Sequence, residues 1–412
     1  MRSSVNAGGT CTSMPLRSST ASCRSVTQCC LTATPVSRCA HSLTVVFRAV
    51  ADVSATDGAA RAGIVTLARG TYTTPTFMPV GTRGAVKYLS ALDYEQLGAQ
   101  IVLGNTYHLM LRPGADLVAR RGGLGAFAGW RGLTLTDSGG YQIFSLEPDV
   151  DDDGVTFTST YDGSKHRLTP ETAVATQEQL GADIQMALDV CPPLPSTEGV
   201  VREAMRRTSL WARRARAAHQ RSDQSLFGIV QGGISEQLRR ESARDIVSVG
   251  FDGYGIGGLS VGETRAAMLP ALAAAIAELP ADQPRYLMGV GDPASMIEAI
   301  GLGVDQFDCV LQTRLGRHGT ALTSAGRLNV KRAEFCESDE PLDVTCECSV
   351  CRMHTRAYLR HLFQVAEPTA SRLVSLHNLA WTLTLMQRAR SAIIAGTFAA
   401  LRREVLDVWA VA

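Results

Sequence analysis

Between residues 171 and 308 the chain alternates regularly between helical patterns and short apolar strands. Each strand ends on a polar side chain or a glycine, and strands that alternate with helices imply a parallel sheet. The number of repeated units predicts an α/β fold closed into a (β/α)8 barrel of the TIM type, with its active site at the carboxyl ends of the strands. A doubly wound open sheet is the alternative, although no G-x-G-x-x-G follows the first strand.

Three more strands are predicted upstream, at Thr73–Thr82, Ile101–Thr106 and Leu133–Asp137. The helices predicted in the alternating region span residues 171–180, 202–220, 236–249, 264–278 and 295–300. The strands between and after them span residues 184–188, 226–230, 254–256, 286–288 and 305–307. Polar groups that follow these strands are therefore the first candidates for a functional site.

Two carboxylates stand out among these strand ends. Asp137 and Asp308 each follow an apolar strand, so both could reach the same barrel mouth. Such a pair allows one carboxylate to attack a carbon while the other moves a proton, which would equally describe a retaining glycosidase. Arg314 and Arg317 follow Asp308 closely and are candidates for binding phosphate.

A second group of strand ends matches the hydrogen-bonding edge of a purine. Asp189 offers an acceptor, Gln231 an amide and Gly258 exposed backbone, and guanine presents N1–H and N2–H2 donors with an O6 acceptor. Tyr141 could stack on the face of a base. Each residue taken singly is more often a turn or cap residue, so the prediction depends on the whole set.

The strongest local signal is a cysteine cluster near the C-terminus. Cys346-x-Cys348-x2-Cys351 and His377 could supply three thiolates and one imidazole, which complete a tetrahedral zinc shell with no open position. We therefore expect one structural Zn2+ per chain in a subdomain at about residues 336–382. His354 is a competing fourth ligand, but its short spacing from Cys351 would force a tight chelate.

Composition limits the remaining classes of function. The net charge is +1, so any basic surface for nucleic acid must be local. No run of eighteen apolar residues occurs, and we expect no membrane span. The cysteines outside the cluster do not form a disulfide pattern, which favours a reducing compartment and a cytoplasmic protein.

The first 42 residues differ in composition from the rest of the chain. They contain four arginines, many serines and threonines, and no acidic residue, a composition that resembles an organellar transit peptide. We favour a disordered extension or a start codon assigned too far upstream, with Met14 as another candidate start. Residues 43–412 are then predicted to form the catalytic barrel, including the zinc subdomain.

Five motifs together resemble the tRNA-guanine transglycosylase family, in order along the chain from about Phe47 onward. The motifs are Asp137-Ser-Gly-Gly-Tyr-Gln, Phe227-Gly-Ile-Val-Gln-Gly-Gly, Gly257-Gly-Leu-Ser-Val-Gly-Glu263, Phe307-Asp-Cys-Val with Thr313-Arg, and the Cys-x-Cys-x2-Cys…His set. The resemblance implies a zinc-bearing (β/α)8 barrel that exchanges guanine at the wobble position of tRNA for a 7-deazaguanine, in queuosine biosynthesis. It also suggests a homodimer.

The resemblance assigns roles to individual residues. Asp308 would be the nucleophile on the anomeric carbon of the ribose, and Asp137 the general acid and base. The base would be bound by Ser138, Gly139, Gly140, Tyr141, Asp189, Gln231 and Gly258. The RNA would be contacted by Gly289, Val290, Gly291, Asp292, Thr313, Arg314, Leu315, Gly316 and Arg317.

Finer details resemble the bacterial branch of this family. Cys191 and Val261 match residues associated with the small base 7-aminomethyl-7-deazaguanine (preQ1) rather than with queuine. Val190 and Gln312 depart from the bacterial pattern, which usually has Glu and Pro at these positions. A non-catalytic RNA-binding subunit on the same fold is the other interpretation, and the two retained aspartates argue against it.

Overall fold

The computed structural model describes residues 49–410, and eight parallel strands form the centre of this part of the chain. The strands of the described residues are β1 (Val50–Asp57), β2 (Ala60–Leu67), β3 (Gly70–Thr74), β4 (Thr76–Pro79), β5 (Ile101–Gly104), β6 (Leu133–Thr136), β7 (Asp149–Val150), β8 (Val155–Thr158), β9 (Lys165–Leu168), β10 (Ile184–Met186), β11 (Ser225–Val230), β12 (Gly253–Ile256), β13 (Arg285–Leu287), β14 (Gln306–Cys309), β15 (Thr320–Thr323) and β16 (Gly326–Asn329).

Helices surround these strands and build the C-terminal part of the chain. The helices are α1 (Ala91–Gln96), α2 (Thr106–Leu111), α3 (Ala115–Arg120), α4 (Gly123–Ala128), α5 (Gly140–Phe144), α6 (Pro170–Leu180), α7 (Glu198–Ala218), α8 (Glu236–Val249), α9 (Arg265–Ile276), α10 (Pro293–Gly301), α11 (Leu311–Arg317), α12 (Ser349–Met353), α13 (Arg356–Gln364), α14 (Pro368–Ile394) and α15 (Phe398–Trp409), with a short 3-10 turn at Ala333–Phe335.

The parallel sheet closes into a barrel. Its strand order is β4-β14-β13-β12-β11-β10-β6-β5, and every pairing within it is parallel. A parallel bridge between Val80 and Leu103 joins the two outer strands and completes the ring. Buried side chains such as Met186, Phe227 and Ile229 fill the interior, as expected for a packed barrel core. The predicted α/β barrel is therefore confirmed, and the alternative of a doubly wound open sheet is wrong.

Local sequence signals explain where the outer helices begin and end. The Thr169 side chain accepts a hydrogen bond from the Thr172 backbone at the start of α6, and Pro170 occupies its first turn. Ser235 caps α8 in the same way, and the helix ends before Gly250, whose φ of 82° lies in the left-handed region. The predicted helix at residues 236–249 therefore forms with its predicted bounds.

The predicted strand Thr73–Thr82 is two strands instead of one. It is interrupted at Pro75, because proline has no amide hydrogen with which to continue a ladder. Before the proline, β3 completes an antiparallel sheet with β1 and β2. After it, β4 enters the barrel. A buried ion pair between Arg61 on β2 and Asp305 at the amino end of β14 fastens the antiparallel sheet to the barrel.

The C-terminal part contains the residues for which a metal-binding subdomain was predicted. After α11 the chain forms the β15–β16 hairpin and the short helices α12 and α13, and then the 27-residue helix α14 runs back against α11. The described residues belong to one compact unit, whereas the predicted extension at residues 1–42 lies outside the described residues. No helix within residues 49–410 combines the length and apolar character needed to cross a membrane.

Candidate active site and metal centre

A cavity of about 560 Å3 opens at the carboxyl ends of the barrel strands. Both candidate catalytic carboxylates line it, together with the aromatic side chains of Tyr141 and Tyr286. The predicted site residues found in its wall are Asp137, Ser138, Tyr141, Asp189, Gly258, Gly289, Gly291, Asp292, Asp308 and Arg314. The structure therefore brings together residues that lie up to 177 positions apart, from Asp137 to Arg314 (314 − 137).

Asp308 is held through one of its two carboxylate oxygens. It lies within β14, and its Oδ1 accepts hydrogen bonds from the Tyr286 hydroxyl at 2.6 Å and the Gly289 amide at 2.7 Å. No hydrogen bond reaches Oδ2 from any described residue. Burial raises the pKa of Asp308 above its ordinary value. One oxygen is thus fixed by the protein, and the other remains available to a ligand.

Asp137 is bound more completely than Asp308. Asn105 Nδ2 donates to its Oδ2 at 2.5 Å, and the Thr106 backbone amide donates to its Oδ1 at 2.7 Å. The Thr106 hydroxyl also donates to the Asp137 carbonyl at 2.5 Å. Burial raises the pKa of Asp137 to about 6 despite these donors, and the neighbouring Asp308 adds to the shift. A carboxyl with that pKa can hold or release a proton near neutral pH.

The sequence analysis missed the partners that position the two carboxylates. Tyr286 appeared there only as part of a predicted strand, and Asn105 and Thr106 only as the polar end of another. The available signal was that polar end, because a side chain at the carboxyl end of a barrel strand lies at the mouth. Thr106 begins α2, whose free first-turn amides suit an anionic partner.

Asp189 and Gln231 form a buried pair next to the carboxylates. Gln231 Nε2 donates to Asp189 Oδ2 at 2.6 Å, and Ser138 Oγ donates to Oδ1 over a longer 3.4 Å. Asp189 is 7% exposed, and burial raises its pKa to about 6. Gln231 is 1% exposed and does not line the cavity. Asp189 therefore faces the cavity, whereas Gln231 lies behind it and orients its carboxylate.

Gly258 lies at the cavity wall in a conformation that requires glycine. Its φ is +63°, and an added Cβ would come within 2.3 Å of Gln231 Oε1. A side chain at this position would therefore displace Gln231 from Asp189. The absence of a side chain also leaves the backbone at this point open to the cavity.

A fully buried arginine fastens the loops around Gly258. Arg239 on α8 donates to the carbonyls of Gly233 at 2.8 Å, Gly257 at 2.7 Å and Gly258 at 3.0 Å, and also to Val230 at 3.1 Å. Burial lowers the pKa of Arg239 to about 10. The sequence analysis missed this residue, because an arginine on an amphipathic helix normally faces solvent and no local pattern distinguishes this one.

The remaining predicted base contacts surround α5. Gly139 precedes this helix, Gly140 begins it as a buried residue, and neither lines the cavity. Tyr141 is 65% exposed and stands at the rim. The predicted stacking residue is therefore accessible, whereas the two glycines shape the turn that presents it.

The first predicted RNA segment, residues 289–292, follows β13 into the cavity wall. Gly289 is exposed and already donates its amide to Asp308. Val290 is 1% exposed, so its side chain packs in the core and is not presented to a ligand. Asp292 caps α10 by accepting from the Ser295 amide at 2.9 Å. The direct contribution of this segment is thus mainly its backbone.

The second predicted RNA segment, residues 313–317, is helical and presents mainly its arginines. Arg314 is exposed and lines the cavity, and Arg317 Nη1 donates to Thr313 Oγ1 at 3.2 Å. Thr313 and Gly316 are buried, and Leu315 packs against the core. One face of α11 thus packs against α14, while Arg314 reaches the barrel mouth.

The two departures from the bacterial pattern lie close to the site. Gln312 is fully buried, and its Nε2 donates to the Gly291 carbonyl at 2.8 Å. This bond ties α11 to the loop whose Gly289 amide holds Asp308. Val190 is half-buried beside Asp189, and its backbone amide donates to Thr208 Oγ1 at 3.0 Å.

The candidate metal centre has the donor set of a closed tetrahedral site. One ligand atom from each of Cys346, Cys348, Cys351 and His377 lies within 4.8 Å of the others. His377 Nε2 donates to the Leu322 carbonyl at 2.8 Å, so its Nδ1 is the nitrogen turned toward the thiols. Such a bond fixes the tautomer that a metal-binding histidine needs. The four residues therefore fit one metal ion.

His354 is not part of this group. Its ring stacks on Tyr358, with the ring centroids 5.1 Å apart. His377 reaches the thiols instead because α14 returns beside α12 after the intervening α13. A long helix supplies a ligand that the nearby loop does not.

A closed (β/α)8 barrel with two buried acids in a polar cavity at its mouth, and a separate Cys3His cluster that could hold a metal ion, defines the architecture of a barrel enzyme. The family model described as queuine tRNA-ribosyltransferase matches residues 56–410. The chain belongs to the queuine tRNA-ribosyltransferase family. This confirms both the family resemblance and the transferase class predicted from the motifs.

Individual relatives agree with the family match. A queuine tRNA-ribosyltransferase of Herpetosiphon aurantiacus is 52% identical over 355 residues, which cover 86% of this chain and 90% of that protein. One from Solidesulfovibrio magneticus is 52% identical over 353 residues, covering 85% and 95%. One from Geobacillus kaustophilus is 49% identical over 353 residues, covering 85% and 93%.

Proposed function

We propose that this chain is a tRNA-guanine transglycosylase that replaces guanine at the wobble position of tRNAs with GUN anticodons by preQ1, as a step of queuosine biosynthesis. The observation that carries the proposal is the pairing of Asp308 with Asp137 in one cavity beside the buried acceptor Asp189. The Oδ2 atom of Asp308 accepts no hydrogen bond from the described residues, and Asp137 has a pKa of about 6. These are the groups that a base exchange at a sugar carbon requires.

The exchange proceeds by double displacement. The target nucleotide is first turned out of its stack into the cavity, because a carboxylate cannot otherwise reach its sugar. Asp308 Oδ2 attacks the anomeric carbon, the bond from that carbon to guanine N9 breaks with its electron pair on the base, and Asp137 supplies the proton that guanine takes. A covalent ribosyl ester of Asp308 results.

The second half reverses these roles. The incoming base enters the pocket with a proton on N9, and Asp137 removes that proton as N9 attacks the anomeric carbon. The ester bond to Asp308 breaks, and its carboxylate is restored. Two displacements leave the configuration at the sugar carbon unchanged, and Tyr286 and the Gly289 amide stabilise the departing carboxylate through Oδ1.

Recognition of the base follows from the groups around Asp189. Its carboxylate accepts from the N1–H and N2–H2 edge shared by guanine and 7-deazaguanines, and Tyr141 at the rim covers the face of the base. Cys191 and Val261 line the same cavity, which supports the small aminomethyl base over queuine. Competition between preQ1 and queuine for guanine exchange tests this preference. Equal inhibition by both bases would contradict it.

Incubation with radiolabelled guanine and unmodified tRNA tests the activity, since only a base-exchange enzyme incorporates the label. The nucleophile is tested by denaturing gel electrophoresis of enzyme and tRNA with free base withheld. We expect a slowly migrating adduct with the unchanged chain, none with Asp308→Asn, and some with Asp137→Asn, which retains the nucleophile. An adduct that persists in Asp308→Asn would assign the nucleophile to another residue.

The metal in the Cys3His centre is proposed to be zinc. Thiolates with one imidazole are the donors that Zn2+ prefers in structural sites, and four protein ligands leave no position for substrate. The ion would stabilise the junction between α12 and α14 and would take no part in the exchange. Elemental analysis of active protein should find one zinc per chain, and its absence would contradict this assignment.

We also propose that the cytoplasmic enzyme works as a homodimer through its metal-binding subdomain. Val344, Met353 and Tyr358 expose 68%, 73% and 43% of their surface there, and large apolar side chains left exposed in one segment favour a protein contact. Light scattering should give twice the chain mass, and Met353→Glu should lower it. A monomer mass for the unchanged chain at micromolar concentration would refute the proposal.

A further inference from the structure

A cationic and aromatic cluster lies beside the cavity and outside both segments assigned to RNA contact. We call Arg83, His108, Arg112 and Tyr161 the Tyr161 cluster. The guanidinium carbons of Arg83 and Arg112 lie 5.3 Å and 4.8 Å from the centre of the Tyr161 ring. His108 Nδ1 lies 2.9 Å from the Tyr161 hydroxyl, and His108 also lines the cavity. The cluster is therefore continuous with the site.

The cluster is built on a firmly held turn. Tyr161 lies between β8 and β9, and the neighbouring Thr160 binds the hydroxyl of Tyr107 on α2 twice, through Oγ1 at 3.0 Å and through its amide at 3.2 Å. Arg112 Nη2 donates to the Tyr161 carbonyl at 3.3 Å. A guanidinium stacked on an aromatic ring keeps its N–H edge free for an anion, and little entropy remains to be lost on binding.

Neither arginine forms an ion pair within residues 49–410. No carboxylate lies within ion-pair distance of Arg83 or Arg112 there. The nearby Asp162 accepts from the amide and hydroxyl of Ser164 through Oδ1, and these bonds, with a smaller contribution from the charge of Arg112, lower its pKa. The arginines of α7 differ, since Arg206, for example, pairs with acidic side chains. Two exposed guanidiniums on one ring, neither in contact with a carboxylate of the described residues, form a local positive site on a chain of net charge +1.

The strand order places this positive site next to Arg314. Around the ring, β4 lies between β14 and β5. Arg314 follows β14, Arg83 follows β4, and Arg112 follows β5 and its helix α2. Asp189 and Gly258 follow β10 and β12 on the other half of the ring. Cations thus occupy one half of the barrel mouth, and the groups proposed to hold the base occupy the other.

We propose that the Tyr161 cluster binds the phosphodiester backbone of the RNA strand next to the nucleotide held in the cavity. The inference rests on the proposed function, because it needs an RNA substrate whose target base enters the cavity. With the base against Asp189 and its sugar between Asp137 and Asp308, the backbone leaves over the β14–β4–β5 half of the mouth. Arginine forks match phosphate oxygens there, and Arg314 extends the same path.

Equilibrium binding of an anticodon stem–loop RNA tests the proposal. The measurements use chains that carry Asp308→Asn, so that no covalent adduct forms. We expect Arg83→Gln with Arg112→Gln to weaken binding about tenfold at 0.15 M salt, equally for matched and mismatched wobble bases. The slope of log Kd against log salt should fall by about 0.7 for each lost phosphate contact with a single-stranded segment.

A control removes one positive charge at a site far from the barrel mouth, for comparison with each arginine of the cluster changed singly. Arg131 precedes β6 at the opposite end of the barrel, is 80% exposed along its side chain and pairs with Glu95, so Arg131→Gln should change neither affinity nor slope. Tyr161→Phe keeps the ring and should bind RNA normally. Tyr161→Leu removes the ring without changing charge, and we expect it to weaken binding severalfold.

Kinetics of the chain with Asp308 intact separate binding from positioning. Arg83→Gln with Arg112→Gln should raise KM for RNA and leave kcat and KM for guanine unchanged. Variants that match the Arg131→Gln control would overturn the proposal, as would a fall in kcat at unchanged KM. Loss of a dimer in place of RNA affinity would assign the cluster to a protein contact and overturn it too. If the parent chain binds no RNA, the proposed function fails as well.

Discussion

Asp189→Asn should separate the stability of the barrel from its activity. Asp189 is 7% exposed, and its main compensating donor is Gln231 Nε2 at 2.6 Å. Burial raises its pKa from 3.8 to about 6, so the protein holds this group ionised at neutral pH at a cost in free energy. An asparagine has the same shape, and its Oδ1 can still accept from Gln231. The substitution therefore removes the charge and keeps the packing.

The magnitude follows from the pKa difference between the unfolded and folded chains. A rise of about 2 units corresponds to about 3 kcal/mol, at 1.36 kcal/mol per unit. Because the folded pKa is the higher one, the folded state binds the proton more tightly. The stabilisation by protonation is complete below about pH 3.8 and is lost as pH rises through about 6. Asp189→Asn should thus raise the free energy of unfolding at pH 8 by about 1 to 3 kcal/mol.

The activity should change in the opposite direction. The amide of asparagine presents N–H groups toward the donors of guanine, so exchange should fall at least tenfold, in line with the 1 to 3 kcal/mol cost of an unsatisfied buried group. Overall affinity for tRNA should change little, because phosphate contacts dominate it. In the unchanged chain, exchange should decline as pH falls below about 6 and Asp189 becomes protonated.

Urea unfolding followed by circular dichroism between pH 4 and 8 is the assay. The stability difference between Asp189→Asn and the unchanged chain should be largest at pH 8 and should shrink toward pH 4. Asp116→Asn is the control, because Arg120 and a backbone amide lower the pKa of that exposed carboxyl and its removal should not stabilise the chain. A destabilisation by Asp189→Asn that is constant with pH would refute the reasoning, and so would normal guanine exchange by this variant.

Three further substitutions test other parts of the structure. Cys348→Ser should lose the metal and fold poorly, whereas Cys336→Ser, at an exposed thiol outside the cluster, should keep the metal and fold normally. Metal content and thermal unfolding measure this difference, and a metal-loaded Cys348→Ser would contradict it. Tyr286→Phe removes the 2.6 Å hydrogen bond to Asp308 and should lower the rate of adduct formation about tenfold or more with unchanged RNA affinity, which single-turnover kinetics can refute. Gly316→Ala would place a Cβ 2.6 Å from a backbone nitrogen of α14, so we expect α11 to shift and RNA affinity to fall, and an unchanged Kd would show that the contact relaxes at no cost.

The periodicity of apolar residues predicted most of the fold, because each strand and helix has a recognisable local sequence pattern. The helix at residues 236–249 has capping signals at both ends and needed no tertiary information. The break between β3 and β4 also has a local cause, because Pro75 has no amide hydrogen with which to continue a ladder. The prediction of one strand at Thr73–Thr82 did not take this proline into account. Ring closure itself could only be inferred from the number of units.

The sequence by itself determined which chemical groups this protein has: two carboxylates at strand ends, a purine-matching set, and a Cys3His cluster. Only the tertiary structure decided what each group does with its neighbours. It turned Gln231 into a support behind Asp189, buried Arg239 among four carbonyls, and left Arg83 and Arg112 unpaired around Tyr161 within the described residues. These outcomes depend on contacts between residues far apart in the chain. A local sequence pattern does not specify which distant residue will contact a given side chain.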